Sequence, residues 1–161
     1  MKREIKFRGK VKHHNPMTNP ENGWVEGYYF QDLTQGEMRS YIFQPPCSRE
    51  VIPETVGQFT GLLDKNGKEI YEGDIVRKKE IGGYGYEYIG VVRYYEKDCR
   101  FGIDLTATDK FSKRGLFTDG EVRENDGYCT ITYTLEYEVL GNIYDKDFGY
   151  VIKNTKTNNI G

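Results

Sequence analysis

The sequence predicts a mainly-β (β-dominated α+β) fold, and three observations carry that expectation. Its 161 residues include 14 Tyr and 8 Phe, rings that suit a pleated, half-buried surface. The 19 glycines exceed the usual share of about 7% and imply many turns. Period-two alternation of apolar and polar residues recurs along the chain, whereas alanine, the strongest helix former, occurs only at Ala107. A chain of this length can bury the core of one good domain or two small ones.

The opening REIKFRGKVK places Ile5, Phe7 and Val11 on one face and Lys6, Arg8, Lys10 and Lys12 on the other, a strand with one buried face. Its basic face reads either as the outward lysines of an edge strand or as a stripe contacting an anion or a partner. HHNPMTNPENG, residues 13 to 23, is a loop by its Pro, Asn and Gly content. His13 and His14 are the only histidines and point apart when adjacent, too few ligands for a metal site. WVEGYYFQDL and MRSYIFQ flank the breaker cluster TQGE, residues 34 to 37, as the two arms of a hairpin. The rings of Trp24, Tyr28, Tyr29 and Phe30 serve either as core or as stacking platforms for bases. In PPCSREVIPETVG, residues 45 to 57, the prolines oppose extended pairing and leave room for a short helical turn from Pro53. This stretch marks the expected junction between an N-terminal part and a C-terminal barrel.

TGLLDKNGKEIYEGDIV, residues 60 to 76, concentrates Asp64, Glu69, Glu72 and Asp74. A calcium loop needs glycine at its sixth position, whereas here glycine is fourth from Asp64, and Lys65 and Lys68 oppose a cation. Turn chemistry explains the residues better: Asp64 caps its own turn, Asn66 and Gly67 accept positive φ, and Glu72 with Gly73 forms a second turn. Gly61, Asn66, Gly67 and Gly73 are therefore its working residues. Leu62–Leu63, Ile70–Tyr71 and Asp74–Val76 then become three short strands of a meander that opens a small barrel.

Strands resume with YIGVVRYYE, CRFGIDL and ITYTLEYEVLGNIY. The last aligns Ile131, Tyr133, Leu135, Tyr137, Val139 and Ile143 on one face, with Glu136 and Glu138 opposite, as a central strand would. GGYGYEYIG, residues 82 to 90, lacks the third glycine of a dinucleotide loop, since Tyr88 stands there, and reads as a hairpin tip. The segments 78 to 88 and 106 to 127 are loops, and 151 to 161 is a polar, mobile tail.

Chemical motifs are sparse. Ser40, Ser48 and Ser112 lie in no nucleophile elbow, and Cys47, Cys99 and Cys129 have neither a nearby histidine nor C-x-x-C spacing. No catalytic residue, cofactor or metal is expected. Three cysteines without a signal-peptide pattern suggest a cytoplasmic protein with reduced thiols. No run approaches the 18 or so apolar residues of a membrane helix, so no membrane partner is expected. A net charge of −2 supplies no overall field for nucleic acid.

REIKFRGK, VGQFTGLLDKNGKEIYEGDIV (56 to 76) and EYEVLGNIYD (136 to 145), in that order, resemble the YopX-like family of phage and prophage proteins. The resemblance implies an SH3-like small barrel over 57–150, an N-terminal β extension over 1–56, and an oligomer without catalytic residues. It also implies a phage or prophage accessory protein made in the cytoplasm of the bacterial host. Residues 13 to 55 are longer than the family pattern leads one to expect, and the polar ending departs from it. The leading expectation is a non-enzymatic homo-oligomer that binds a host or phage protein. An alternative is a nucleic-acid-binding small barrel in which Lys6, Arg8, Lys10 and Lys12 contact phosphates beside the aromatics of 24 to 30, unless Glu136 and Glu138 pair with that stripe. A hydrolase using clustered carboxylates is the third reading.

Overall fold

A computed structural model describes residues 4–13, 15–79, 87–104, 128–130 and 137–146. It divides into two compact units, Met1–Gly61 and Leu62–Gly161.

The first unit contains β1 (Phe7–Lys10), β2 (Trp24–Thr34), β3 (Glu37–Gln44), β4 (Cys47–Val51) and most of β5 (Gly57–Leu63), which passes Gly61 into the second unit. These strands lie in the order β4-β3-β2-β1-β5. β1 pairs antiparallel with both β2 and β5, so the edge-strand reading of the opening segment is corrected: it is an interior strand. Period two reveals two faces but is silent about neighbours. β2 changes partner along its length, pairing through Trp24–Gly27 with β1 and through Tyr28–Thr34 with β3. Gln35 and Gly36, at φ 54° and 82°, form the two-residue turn expected at TQGE. Positive φ at both positions is the type I′ geometry that matches strand twist.

Contrary to the expectation from sequence, the prolines do not exclude extended pairing in the next segment. Pro45 and Pro46 precede the strand, and Cys47–Val51 pairs with β3. Pro53–Thr55 is the short 3-10 turn anticipated there. The sheet curls back on itself: Val11 bridges Val51, Ile52 donates its N–H to Lys10 at 2.8 Å, and Lys12 donates to Glu50 at 3.0 Å. Val11, Val25, Ile42 and Val51 fill the enclosed side, with Phe7 and Val56 against them. Burying each such aliphatic side chain stabilises by roughly 1.5–3 kcal/mol.

The second unit continues with β6 (Glu69–Tyr71), β7 (Asp74–Lys79), β8 (Glu87–Tyr95), β9 (Arg100–Asp104), β10 (Tyr128–Thr130) and β11 (Tyr137–Asn142). β5 and β6 are neighbours, but β7 joins a separate antiparallel sheet of order β10-β9-β8-β7-β11. The expected three-strand meander is therefore split between two ladders. β11 pairs with β7 at the end of the described order rather than at its centre. Its alternation also breaks at a bulge between Val139 and Gly141, which leaves Asn142 buried. Ile70, Val76, Val92, Ile103, Tyr137 and Val139 form the core of this unit.

The chain is thus mainly β, in antiparallel sheets with no α-helix and no closed barrel among the described residues. No helix among those residues is long and apolar enough to cross a membrane. The expected loop at 78–88 is corrected at both ends, where Lys78 pairs with Tyr88 and Lys79 with Glu87 in the β7–β8 ladder. Residues 80–86, the expected loop at 106–127, the alternating run Ile131–Glu136 and the tail 151–161 lie outside the described residues, as does His14.

Candidate functional site

Strand alternation brings the basic stripe, Trp24, Tyr28 and Phe30 onto one sheet face, whereas Tyr29, opposite Ile42 and with its ring centre 5.5 Å from that of Phe7, lies on the other. Arg8 stands opposite Glu26 and Lys10 opposite Trp24, while Tyr28 stands opposite Phe43 and Phe30 opposite Tyr41. Side chains two apart on a strand share a face, so this is the side away from Val25 and Ile42.

Each predicted cation has a definite position. Lys6 Nζ lies 5.2 Å from the centre of the Phe59 ring. The Arg8 guanidinium and Lys10 Nζ both lie over Trp24, at 4.7 and 5.1 Å. Lys12 Nζ donates to Glu50 Oε1 at 2.7 Å, and Arg39 stands 3.9 Å from the other carboxylate oxygen. The Lys12 hydrogen bond is the main reason the Glu50 carboxyl titrates below its usual value. Arg8 is buried and Lys12 exposed, so the stripe is uneven and engaged with its own sheet. Glu138 is not its counter-charge: that carboxylate binds Lys65 and Arg77 in the second unit.

The aromatics divide. Trp24 is buried under Arg8 and Lys10, whereas Tyr28 is 62% exposed, Phe30 41% and Phe43 36%. Phe30 and Tyr41 stack at 5.3 Å and 17°. The role of Phe43 and Tyr41 in this row was missed from sequence. Once TQGE fixes the hairpin turn, the register that sets both residues against β2 follows, and that was the available signal.

The carboxylates of residues 60 to 76 are occupied by the fold. Asp64 Oδ1 accepts the N–H groups of Asn66 at 2.7 Å and Lys68 at 2.9 Å, and its Oδ2 accepts that of Val139 at 3.0 Å. Burial raises its pKa, but these backbone donors outweigh burial and hold it below the usual value. Asp74 accepts Tyr71 N–H at 2.9 Å and Asn142 Nδ2 at 3.1 Å. Glu69 receives the Tyr71 hydroxyl at 2.7 Å, and Glu72 the Tyr94 N–H at 3.4 Å. Asp64 does cap its turn, and Gly61, Gly67 and Gly73 do take positive φ; Asn66 does not. Among the described residues no group of three or more His, Cys, Asp or Glu could hold a metal ion. Cys47 and Cys99 are exposed free thiols.

A family model described as YopX protein matches residues 6–147. Comparison with curated proteins gives no match. Among solved structures the chain is similar to the crystal structure of protein EF1440 from Enterococcus faecalis, at 22% identity over 88% of this chain and 94% of that one. The TM-score is 0.37.

Proposed function

The chain belongs to the YopX family, and from that premise we propose that it is a phage or prophage accessory protein that acts by binding, as a homo-oligomer that also engages a host or phage protein in the host cytoplasm. The observation that carries this reading is the exposed row of Tyr28, Phe30 and Phe43 on one sheet face. Aromatic residues are enriched at protein interfaces, and water-exposed apolar area on a folded sheet is removed at a gain of roughly 25 cal/mol per Å². The carboxylates of residues 60 to 76, the ones on which the hydrolase reading rests, accept hydrogen bonds from the protein's own backbone and side chains.

Light scattering tests the proposal: a mass above the single-chain value that falls in the Tyr28→Ser/Phe30→Ser variant supports it, and a strict monomer contradicts it. The nucleic-acid reading has one observation in its favour, since Lys6, Arg8, Lys10 and Lys12 share a face with Tyr28 and Phe30. A salt-titrated binding assay with a single-stranded oligonucleotide separates the two. Phosphate contacts weaken steeply as salt rises, and binding absent at low salt removes this alternative.

A further inference from the structure

β1 reaches β2 only as far as the Phe7–Gly27 pair, so among the described residues Tyr28–Thr34 is laddered on its β3 side alone. The hairpin turn fixes which backbone groups that open side presents. In a two-residue type I′ hairpin the closing pair, here Thr34 and Glu37, exchanges hydrogen bonds. Alternation then directs the bonds of Asp32, Phe30 and Tyr28 toward β3, and those of Leu33, Gln31 and Tyr29 away from it.

In its own sequence this outward edge carries none of the usual protections. Tyr28–Thr34 contains no Lys, Arg, Pro or Gly, and its single charge is Asp32. Leu33 is 65% exposed, and Met38 directly opposite is 62% exposed.

We propose that Tyr28–Thr34 pairs with the same segment of a second copy, antiparallel about a two-fold axis through the Gln31 pair. The inference rests on the homo-oligomer reading and names the contact that builds it. Three constraints select the copy and the register. A two-fold contact requires a self-complementary edge, because residue i meets residue j and j meets i. Centring on Gln31 sets Tyr29 against Leu33, covers all of Tyr28–Thr34, and makes about six backbone hydrogen bonds through the outward pairs. Centring on Asp32 would oppose two carboxylates, and centring on Phe30 would run into the stretch already held by β1. Registers centred between residues put outward against inward amides and are excluded.

In this register the two Gln31 Cα atoms stand about 5.5 Å apart, inside the disulfide range of roughly 4.4–6.8 Å. The test uses the full chain with Cys47→Ser, Cys99→Ser and Cys129→Ser, adding either Gln31→Cys or Leu33→Cys, under mild oxidation at concentrations where light scattering reports the mass. The expected result is covalent dimer from Gln31→Cys and none from Leu33→Cys, whose sulfurs would lie four residues apart. An associating chain without the Gln31→Cys crosslink, or with an equal crosslink at position 33, overturns the edge pairing and leaves the homo-oligomer reading standing. A monomeric chain at all concentrations overturns both.

Discussion

Asp64 and Val139, 75 positions apart in sequence, are joined by a hydrogen bond of 3.0 Å from the Val139 amide to Asp64 Oδ2. Around it the two blocks that carry the family resemblance in this unit are clasped together. Lys65 N–H donates to the Tyr137 carbonyl at 2.8 Å, Ile143 N–H to Gly73 at 3.0 Å, and Asn142 Nδ2 to Asp74. The buried acids Asp64 and Asp74 thus act as acceptors that join segments distant in sequence.

Asp64→Ala removes the acceptor for three backbone N–H groups, one of them buried at Val139. The expected cost is about 3 kcal/mol, since an orphaned donor costs more than a hydrogen bond contributes. Asp64→Asn retains an acceptor oxygen and should cost less. Urea unfolding of both variants checks the order.

Acid should weaken the same unit. Hydrogen bonds from Lys65 and then Arg77 outweigh burial and lower the Glu138 pKa from 4.5 to about 2. Asp64 is likewise held below its usual 3.8. A folded-state pKa below the unfolded one contributes stability that is complete above the unfolded value and is lost as pH falls through the folded value. The urea midpoint should therefore be flat above pH 4.5 and fall toward pH 2. Glu138→Gln should start lower at neutral pH and show a shallower acid limb.

Two glycines of the β2–β3 hairpin should respond differently to alanine. At Gly27, φ is +154° and an added Cβ would stand 2.2 Å from the Phe43 carbonyl oxygen, a backbone atom that cannot step aside. Gly27→Ala should cost more than about 3 kcal/mol in thermal or urea unfolding. At Gly36, φ is +82° but nothing lies within 4 Å, so Gly36→Ala should cost only about 1 kcal/mol of backbone strain.

Trp24 is the chain's one tryptophan, and two cations cover its ring. Its emission is a local probe of the first unit. Lys10→Met should lower stability by about 0.5–1 kcal/mol and Arg8→Met, at the more buried position, by up to about 2 kcal/mol. Fluorescence-detected urea unfolding reads both.

Sequence made local features legible because their causes are local. The TQGE turn, the Asp64 cap and the short 3-10 turn at Pro53 each follow from residues within a few positions. The alternation of residues 5 to 11 correctly separated Phe7 and Val11 from the cations, yet could not show that β5 would flank β1 and make it interior. The partners of Glu138, the placement of β7 in another sheet and the bulge near Gly141 depend on contacts between distant segments, which no local period encodes. The aromatic row was half visible: Tyr28 and Phe30 were named, and the register that adds Phe43 and Tyr41 came with the hairpin.

Binding through the exposed aromatic row of the first unit is tested most directly by light scattering across a concentration series, comparing the native chain with the Tyr28→Ser/Phe30→Ser variant. The expected native mass is a multiple of 18.7 kDa that falls toward 18.7 kDa in the variant. The variant's unfolding free energy from urea titration should stay within the roughly 1.5 kcal/mol that the Phe30–Tyr41 stack can contribute. A native chain that stays at 18.7 kDa throughout, or a variant that keeps the native mass, would contradict it.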